Sequence, residues 1–161
     1  MKESRAILTL DSLSAAAAEW RREGAVIVVA SGVFDPVHVG HIQHLKAAKQ
    51  LGNILIVAVT GDAFVGKGPG RPRSPDVHRA EVVAGLRDVD AVVINYATNT
   101  VPIIEAVRPH IFVKGVEYRL NRTPQILAET EAVEVYGGRV EFVTGHVVCS
   151  STAILAGAVS V

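Results

Sequence analysis

Residues 25–41 decide the fold of this chain: Ala25-Val26-Ile27-Val28-Val29-Ala30-Ser31-Gly32-Val33-Phe34-Asp35-Pro36-Val37-His38-Val39-Gly40-His41. The first six residues form an unbroken apolar run rich in β-branched side chains, which is typical of a strand buried on both faces of a sheet. Residues 31–37 predict a loop, and residues 41–51 predict a helix that Gly52 closes. A buried strand, a short loop and a helix in this order indicate the start of a parallel α/β unit.

The rest of the chain continues this alternation. The sequence predicts five strands, at residues 25–30, 54–59, 91–94, 111–113 and 140–143, and helices at about 12–23, 41–51, 75–86, 102–107, 124–136 and 150–158. We therefore expect a single domain over residues 1–161 with an α/β fold, a Rossmann-like doubly wound five-stranded parallel sheet with helices on both faces. Ligands of such sheets bind beyond the carboxyl ends of the strands, so residues that directly follow strands carry the functional information.

Composition restricts the class of protein. The chain has 161 residues, of which 49% are apolar and 20% charged, and this indicates a compact domain that folds without metal or disulfide staples. Its 16 basic residues balance 16 acidic ones, whereas a dedicated nucleic-acid binder carries a basic excess. No apolar run approaches a membrane span, and the N-terminus is a poor signal peptide, so we expect a cytoplasmic location. The single cysteine, Cys149, has no partner for an internal disulfide, and we assign it and Trp20 to packing.

Two histidines stand three residues apart where the helix after the first strand begins. His38 and His41 fall on one side of the first helical turn, and Gly40 between them has no side chain to block a ligand. A helix N-terminus also offers unpaired N–H groups and a partial positive charge. The motif therefore predicts a phosphate site with two imidazole donors. Phosphoryl-type transfer depends on such charge stabilisation more than on covalent chemistry from the protein.

Two plainer interpretations compete with a phosphate site. A lone histidine near a helix start is usually a surface or capping residue, but this pair directly follows a buried strand, where parallel sheets bind ligands. Two histidines also suggest zinc. No third ligand has a suitable spacing and Cys149 is far away in sequence, so we expect no resident metal.

The pattern Gly32-x-Phe34-Asp35-x-x-His38-x-Gly40-His41 resembles the signature of the cytidylyltransferase-like nucleotidyltransferase superfamily. The resemblance extends from about Leu8 to Leu155. Within the superfamily the chain is most similar to the nucleotidyltransferase domain of bacterial ADP-heptose synthases, through its leading helix, the stretch 47–52, the strand 54–59, the segment 109–118 and the start of the last helix. Glycerol-3-phosphate cytidylyltransferases and archaeal FAD synthetases are more distant. Ser31, in place of a common asparagine, and Val116-Glu117 depart from the nearest group and leave the sugar and the base open.

The resemblance implies a role for each matching position. His38 and His41 would contact the triphosphate and stabilise the transition state at the α-phosphorus, and Lys67 would reach the phosphates from the loop of residues 61–75, which we expect to be mobile. The other implied nucleotide-binding residues are Gly32, Val33 and Phe34 through their backbones, Asp35 as a brace of the loop, Gly40, Arg79, Lys114 and Gly115 beside the base and ribose, and Ser151 and Thr152 on phosphate oxygens.

Several of these positions also have a plainer explanation. The basic loop residues Lys67, Arg71 and Arg73 would simply be solvated. Asp35 would be a loop cap only. Arg79 would be half of a surface ion pair with Glu81 or Asp76, and Ser151 and Thr152 would be ordinary helix caps.

The resemblance implies in-line attack by a phosphate oxygen of a small phosphorylated acceptor on the α-phosphorus of ATP or CTP, with Mg²⁺ on the triphosphate and pyrophosphate as the leaving group. It favours transfer of AMP from ATP to a heptose-1-phosphate-like sugar phosphate. A CTP-dependent enzyme acting on glycerol 3-phosphate is one alternative, and a non-catalytic nucleotide-binding regulatory domain is another. The resembling families commonly dimerise, so we expect a homodimer, with no nucleic-acid or membrane partner.

Overall fold

The apolar run of residues 25–30 lies at the centre of a parallel sheet. In the computed structural model, which describes residues 7–144 and 150–157, β2 (Ile27–Gly32) pairs with β3 (Ile54–Thr60) on one side and with β5 (Ile111–Gly115) on the other. The other strands are β1 (Ile7–Leu8), β4 (Ala91–Asn95) and β6 (Arg139–Val143). The order across the sheet is β1-β4-β3-β2-β5-β6, and every pair is parallel.

The sheet has six strands, so the predicted number of five is wrong. The additional strand is β1, whose two residues pair with β4 so that Ile7 lies opposite Val92. A strand of this length gives no periodic signal in the sequence, since alternation is recognisable only over about four residues or more. The predicted parallel α/β architecture is otherwise confirmed.

Helices cover both faces of the sheet. They are α1 (Leu10–Arg22), α2 (Val39–Lys49), α3 (Asp76–Ala84), α4 (Val101–Val107), α5 (Pro124–Glu134) and α6 (Ser151–Leu155). Alternate residues of β2 point to opposite faces. Val28 and Ala30 pack in one apolar cluster with residues of α2 and α3, and Ile27 and Val29 pack in a second with residues of α1, α4 and α5. Trp20 is packed against the second cluster, whereas Cys149 lies outside the described residues.

The helices predicted at about 75–86 and 124–136 begin in different ways in the structure. At α5 the hydroxyl oxygen of Thr123 accepts a hydrogen bond from the Ile126 N–H, as a cap should. At α3 the predicted start is wrong by one residue, because Pro75 is the cap and the helix begins at Asp76. Ser74 is held outside the helix, since its N–H donates to the carboxylate of Asp35 at 3.1 Å.

Strand order reverses at β2, and this fixes where a ligand can bind. The chain passes from β2 to β3 and β4 on one side, and then crosses to β5 and β6 on the other. The carboxyl ends of β2 and β5 therefore border a crevice, the usual ligand site of open parallel sheets. The segment that leaves β2 into this crevice is the stretch of residues 31–38.

Candidate active site

A tight turn carries the chain out of β2. Phe34 adopts a positive φ of 56° and is buried, with 3% of its surface exposed. A Cβ atom on Gly32 would lie 3.0 Å from the ring of Phe34, so a larger residue there would have to displace the ring. The ring of Phe34 also lies beside the ring of His41, at a centroid distance of 4.9 Å. Phe34 therefore fixes a site histidine with its side chain, while the nucleotide contacts of the Gly32, Val33 and Phe34 backbones remain a prediction.

The two motif histidines lie side by side at the start of α2. His38 is the N-cap residue, and its backbone N–H donates to Nδ1 of His41 at 3.3 Å. The two rings stack with centroids 3.8 Å apart, and Gly40 lies in the helical turn between them. Nδ1 of His38 is buried and has no hydrogen-bond partner among the described residues. Because His41 accepts at Nδ1, its neutral ring carries the proton on Nε2 and can donate there.

Lys67 belongs to the same cluster as the two histidines. Burial, together with the charges of His38, Lys67 and His44, lowers the pKa of His41 to about 3. Burial, followed by the charge of Lys67, lowers the pKa of His38. The pKa of Lys67 itself falls through partial burial and the nearby Arg71. Three groups that repel one another when protonated lie together here, and an anion placed among them would relieve this repulsion.

Asp35 holds the loop that carries Lys67. Its buried carboxylate accepts hydrogen bonds from Nε of Arg71 at 3.1 Å, from the N–H of Arg73 at 2.6 Å and from the N–H of Ser74. Burial raises the pKa of Asp35, but the hydrogen bonds from Arg73 and Arg71 outweigh it and hold the pKa below its ordinary value. The structure thus places Asp35 in a bracing position. The alternative that Arg71 is a solvated loop residue is wrong, since only 8% of its side chain is exposed.

Arg79 is a buried cross-link between loops. It is 2% exposed and donates to the carbonyl oxygens of Ser74 at 2.9 Å and Val33 at 2.7 Å, and to the carboxylate of Asp62 at 2.7 Å. The alternative of a surface ion pair with Glu81 or Asp76 is therefore wrong. Arg79 fixes the backbone of Val33, and a direct contact with nucleotide stays a prediction.

At the carboxyl end of β5, Lys114 and Gly115 contact three residues, of which the sequence analysis did not name Glu129. Nζ of Lys114 donates to Oγ of Ser31 at 3.2 Å and lies 3.1 Å from the carboxylate of Glu129. The carboxylate of Glu117 folds over Gly115 so closely that a Cβ atom there would lie 2.3 Å from it. The predicted β5 residues therefore do border the crevice, beside the end of β2.

His44 is a third histidine of the site. Burial lowers its pKa, Glu117 opposes that shift, and Lys114 adds to it, while the charge of His44 in turn lowers the pKa of His41. His44 therefore lies near both the histidine pair and the end of β5. The three-residue spacing of His38, His41 and His44 along α2 is a signal that could have identified it from sequence. The partners of Lys114 give no such signal, because they come from separate elements.

The last helix packs against the turn after β2. Oγ of Ser151 donates to the carbonyl oxygen of Pro36 at 2.8 Å, and the hydroxyl of Thr152 lies 3.5 Å from Nη1 of Arg71. The alternative that Ser151 and Thr152 cap this helix is wrong, since Ser150 is the cap and accepts the N–H of Ala153. Their contacts with phosphate remain a prediction. Residues 145–149, which lead into this helix, lie outside the described residues.

Two features of residues 7–144 and 150–157 bear on the kind of site. No cluster of three or more His, Cys, Asp or Glu side chains is arranged to hold a metal ion. Within the same residues, no helix has the length and apolar character needed to cross a membrane.

Comparison with known proteins identifies the family. The model of the cytidylyltransferase-like family matches residues 29–156. The chain belongs to the cytidylyltransferase-like family. The resemblance inferred from the histidine motif is thereby confirmed, together with the prediction of a nucleotidyltransferase enzyme.

Relatives of this cytidylyltransferase-like chain are mostly longer proteins. It is 40% identical to the "Bifunctional protein HldE" of Alkalilimnicola ehrlichii, over 96% of this chain and 32% of that protein. It is 38% identical to the protein of the same name from Syntrophotalea carbinolica, over 76% of this chain and 25% of that one. The chain thus spans about a quarter to a third of the curated relatives it matches.

Two solved structures are similar to the cytidylyltransferase-like chain. One is a lipopolysaccharide core biosynthesis protein from Thermoplasma volcanium, with 26% identity and a TM-score of 0.63, covering 77% of this chain and 100% of that one. The other is a pantoate-beta-alanine ligase from Francisella tularensis, with 12% identity and a TM-score of 0.64, covering 93% of this chain and 73% of that one. The second likeness shows the fold alone.

Proposed function

We propose that this chain transfers AMP from ATP to a heptose-1-phosphate-like sugar phosphate and releases pyrophosphate. One observation carries the proposal: His38, His41 and Lys67 converge beyond the carboxyl end of β2, where the N-terminus of α2 adds its positive end. The HldE relatives and the lipopolysaccharide core biosynthesis protein support a sugar phosphate as the acceptor.

The proposed reaction is an in-line displacement at the α-phosphorus. A phosphate oxygen of the acceptor forms a new bond to that phosphorus, the bond to the oxygen bridging the α- and β-phosphates breaks, and pyrophosphate departs with the electron pair. Nε2–H of His41 donates to an equatorial α-phosphate oxygen as its negative charge grows. Lys67 and His38 stabilise the triphosphate and the leaving pyrophosphate. Mg²⁺ enters with ATP as part of the substrate.

Substrate specificity is tested by one panel of reactions. ATP, CTP, GTP and UTP are each combined with Mg²⁺ and with heptose 1-phosphate, glycerol 3-phosphate or phosphopantetheine, and pyrophosphate release is measured. We expect the highest kcat/KM for ATP with heptose 1-phosphate. Faster release with CTP and glycerol 3-phosphate would replace these substrates and keep the reaction class. Nucleotide binding without release for any pair would favour the non-catalytic alternative.

We also propose that the chain forms a homodimer. Apolar side chains on α2 and α3 are exposed, with 46% of Val39, 45% of Ile42, 49% of Val77 and 54% of Val82 accessible. A second copy of the chain would cover these helix surfaces. Light scattering at micromolar concentration should give twice the mass of the chain, and a monomer mass would refute the dimer.

A further inference from the structure

A fully buried glutamate lies behind the β5 end of the site. Glu129 is on the core-facing stripe of α5, between Ile126 and Val133, and none of its surface is exposed. An ionised carboxylate in such a position is costly unless a positive charge and hydrogen-bond donors meet it. Oε1 accepts the backbone N–H of Thr100, at the start of α4, at 2.8 Å, and Oε2 lies 3.1 Å from Nζ of Lys114.

Lys114 connects this buried carboxylate to the crevice. Its ammonium group donates to Ser31, the residue directly before Gly32, and lies 5.1 Å from the ring centroid of Phe112. Only 11% of the lysine side chain is exposed. An ammonium group has three N–H donors, and one of them is donated to Ser31, while Glu129 is an ion-pair partner whose Oε2 makes no hydrogen bond among the described residues. The other donors belong to a lysine whose charge is already balanced by Glu129.

We propose that Glu129 is a positioning residue that makes Lys114 a hydrogen-bond donor for the uncharged nucleoside and not an anchor for phosphate. This inference rests on the proposed function, because it concerns the nucleoside end of the same nucleotide site. The crevice then has two ends of different character. The triphosphate lies at the end of His38, His41 and Lys67, and the base and ribose lie at the end where Lys114 and Glu129 neutralise each other.

Glu129→Gln separates the charge of this side chain from its hydrogen bond. The glutamine oxygen still accepts the Thr100 N–H, but its NH₂ group then faces the ammonium of Lys114, so donor meets donor. Lys114 loses its position and keeps an unbalanced charge. We expect Kd for Mg-ATP to rise roughly tenfold, since a buried charge pair is broken. Kd for inorganic tripolyphosphate with Mg²⁺ should stay unchanged or fall.

A second pair of variants separates positioning from fold stability. Lys114→Met leaves Glu129 buried without its counter-charge, so the melting temperature should fall. Adding Glu129→Gln to Lys114→Met removes the unpaired charge and should restore the melting temperature without restoring ATP affinity. If Lys114 supports ATP binding only by stabilising the fold, restored melting brings restored ATP affinity. The matched control is Glu131→Gln, an exposed glutamate on the same helix, which should change neither affinity.

The affinities for ATP and tripolyphosphate decide whether Glu129 positions Lys114. Equal changes in ATP and tripolyphosphate affinity, or no change in either, would overturn the inference. If Glu129→Gln alone does not fold, the same comparison is made between Glu129→Asp, which keeps the charge but draws it back from Lys114, and wild type. Wild-type pyrophosphate release with unchanged ATP affinity in Glu129→Gln refutes the inference and keeps the proposed function. If ATP binding weakens in Glu129→Gln but the wild type releases no pyrophosphate, the inference is kept and the proposed function is refuted. A wild-type chain that does not bind ATP refutes both.

Discussion

The backbone N–H of His38 donates to Nδ1 of His41, while the two rings stack 3.8 Å apart. One residue thereby selects the tautomer of the other, so that Nε2 of neutral His41 carries the proton. An acceptor bond at Nδ1 is how proteins commonly fix which ring nitrogen donates. Because the two rings are stacked, removal of either ring changes the surroundings of the other.

The first prediction concerns turnover. His38→Ala and His41→Ala should each lower kcat by roughly two to four orders of magnitude, because His41 donates to the charge that develops at the α-phosphorus and His38 stabilises the triphosphate and the leaving pyrophosphate. Pyrophosphate release under saturating substrate measures this, and thermal melts should stay close to wild type. His78→Ala, on the exposed face of α3, is the control and should retain full activity. Near-full turnover by His41→Ala would exclude the proposed mechanism.

The second prediction is a dependence of stability on pH. The pKa of His41 is about 3 in the folded protein and 6.5 in an unfolded chain, so the unfolded state binds more protons between these values. The contribution of neutral His41 is therefore complete above pH 6.5 and is lost as the pH falls towards 3. Urea unfolding at pH 7.5 and 4.5 should show a larger loss of stability for wild type than for His41→Gln. Equal losses would mean that His41 is not buried as described.

The third prediction concerns the brace of the loop. Asp35→Ala leaves the buried guanidinium of Arg71 without its counter-charge and should lower the free energy of unfolding by about 3 kcal/mol. The control is Glu141→Ala, which breaks the exposed Arg139–Glu141 pair and should cost at most about 1 kcal/mol. Urea denaturation measures both. A similar small cost for the two variants would show that Asp35 does not hold the loop.

The sequence predicted the parts of this structure that depend on local patterns. The buried β2 run, the helix after it and the histidine pair all follow from residues close together in the chain, and their approximate positions were predictable. The burial of Arg79 was not predictable, because its partners Val33 and Asp62 are 46 and 17 residues away in the chain. The pairing of Lys114 with Glu129 was not predictable either, because the two residues lie on different elements. Charged residues are usually exposed, so sequence favours a surface location until tertiary contacts are known.

The fourth prediction tests the loop of residues 61–75, whose mobility remains a prediction. Trypsin can cut after Lys67, which precedes Gly68, but not after Arg71, which precedes Pro72. Cleavage after Lys67 should slow when Mg-ATP is added, because loops that close over phosphates become ordered. Mass spectrometry of the fragments identifies the site, and casein digested under both conditions controls for effects on trypsin. Equal cleavage with and without Mg-ATP would argue against closure.

The contacts of Asp35 also set how far Lys67 can travel. Arg71 is fixed to Asp35, and Lys67 stands four residues before it in the chain. Four extended residues span at most about 14 Å, so the lysine remains within reach of the histidines in every conformation that keeps the brace. A group on so short a tether has an effective concentration on the order of millimolar at its target. Lys67 is thus a tethered counter-ion, and it loses little translational entropy when a triphosphate binds.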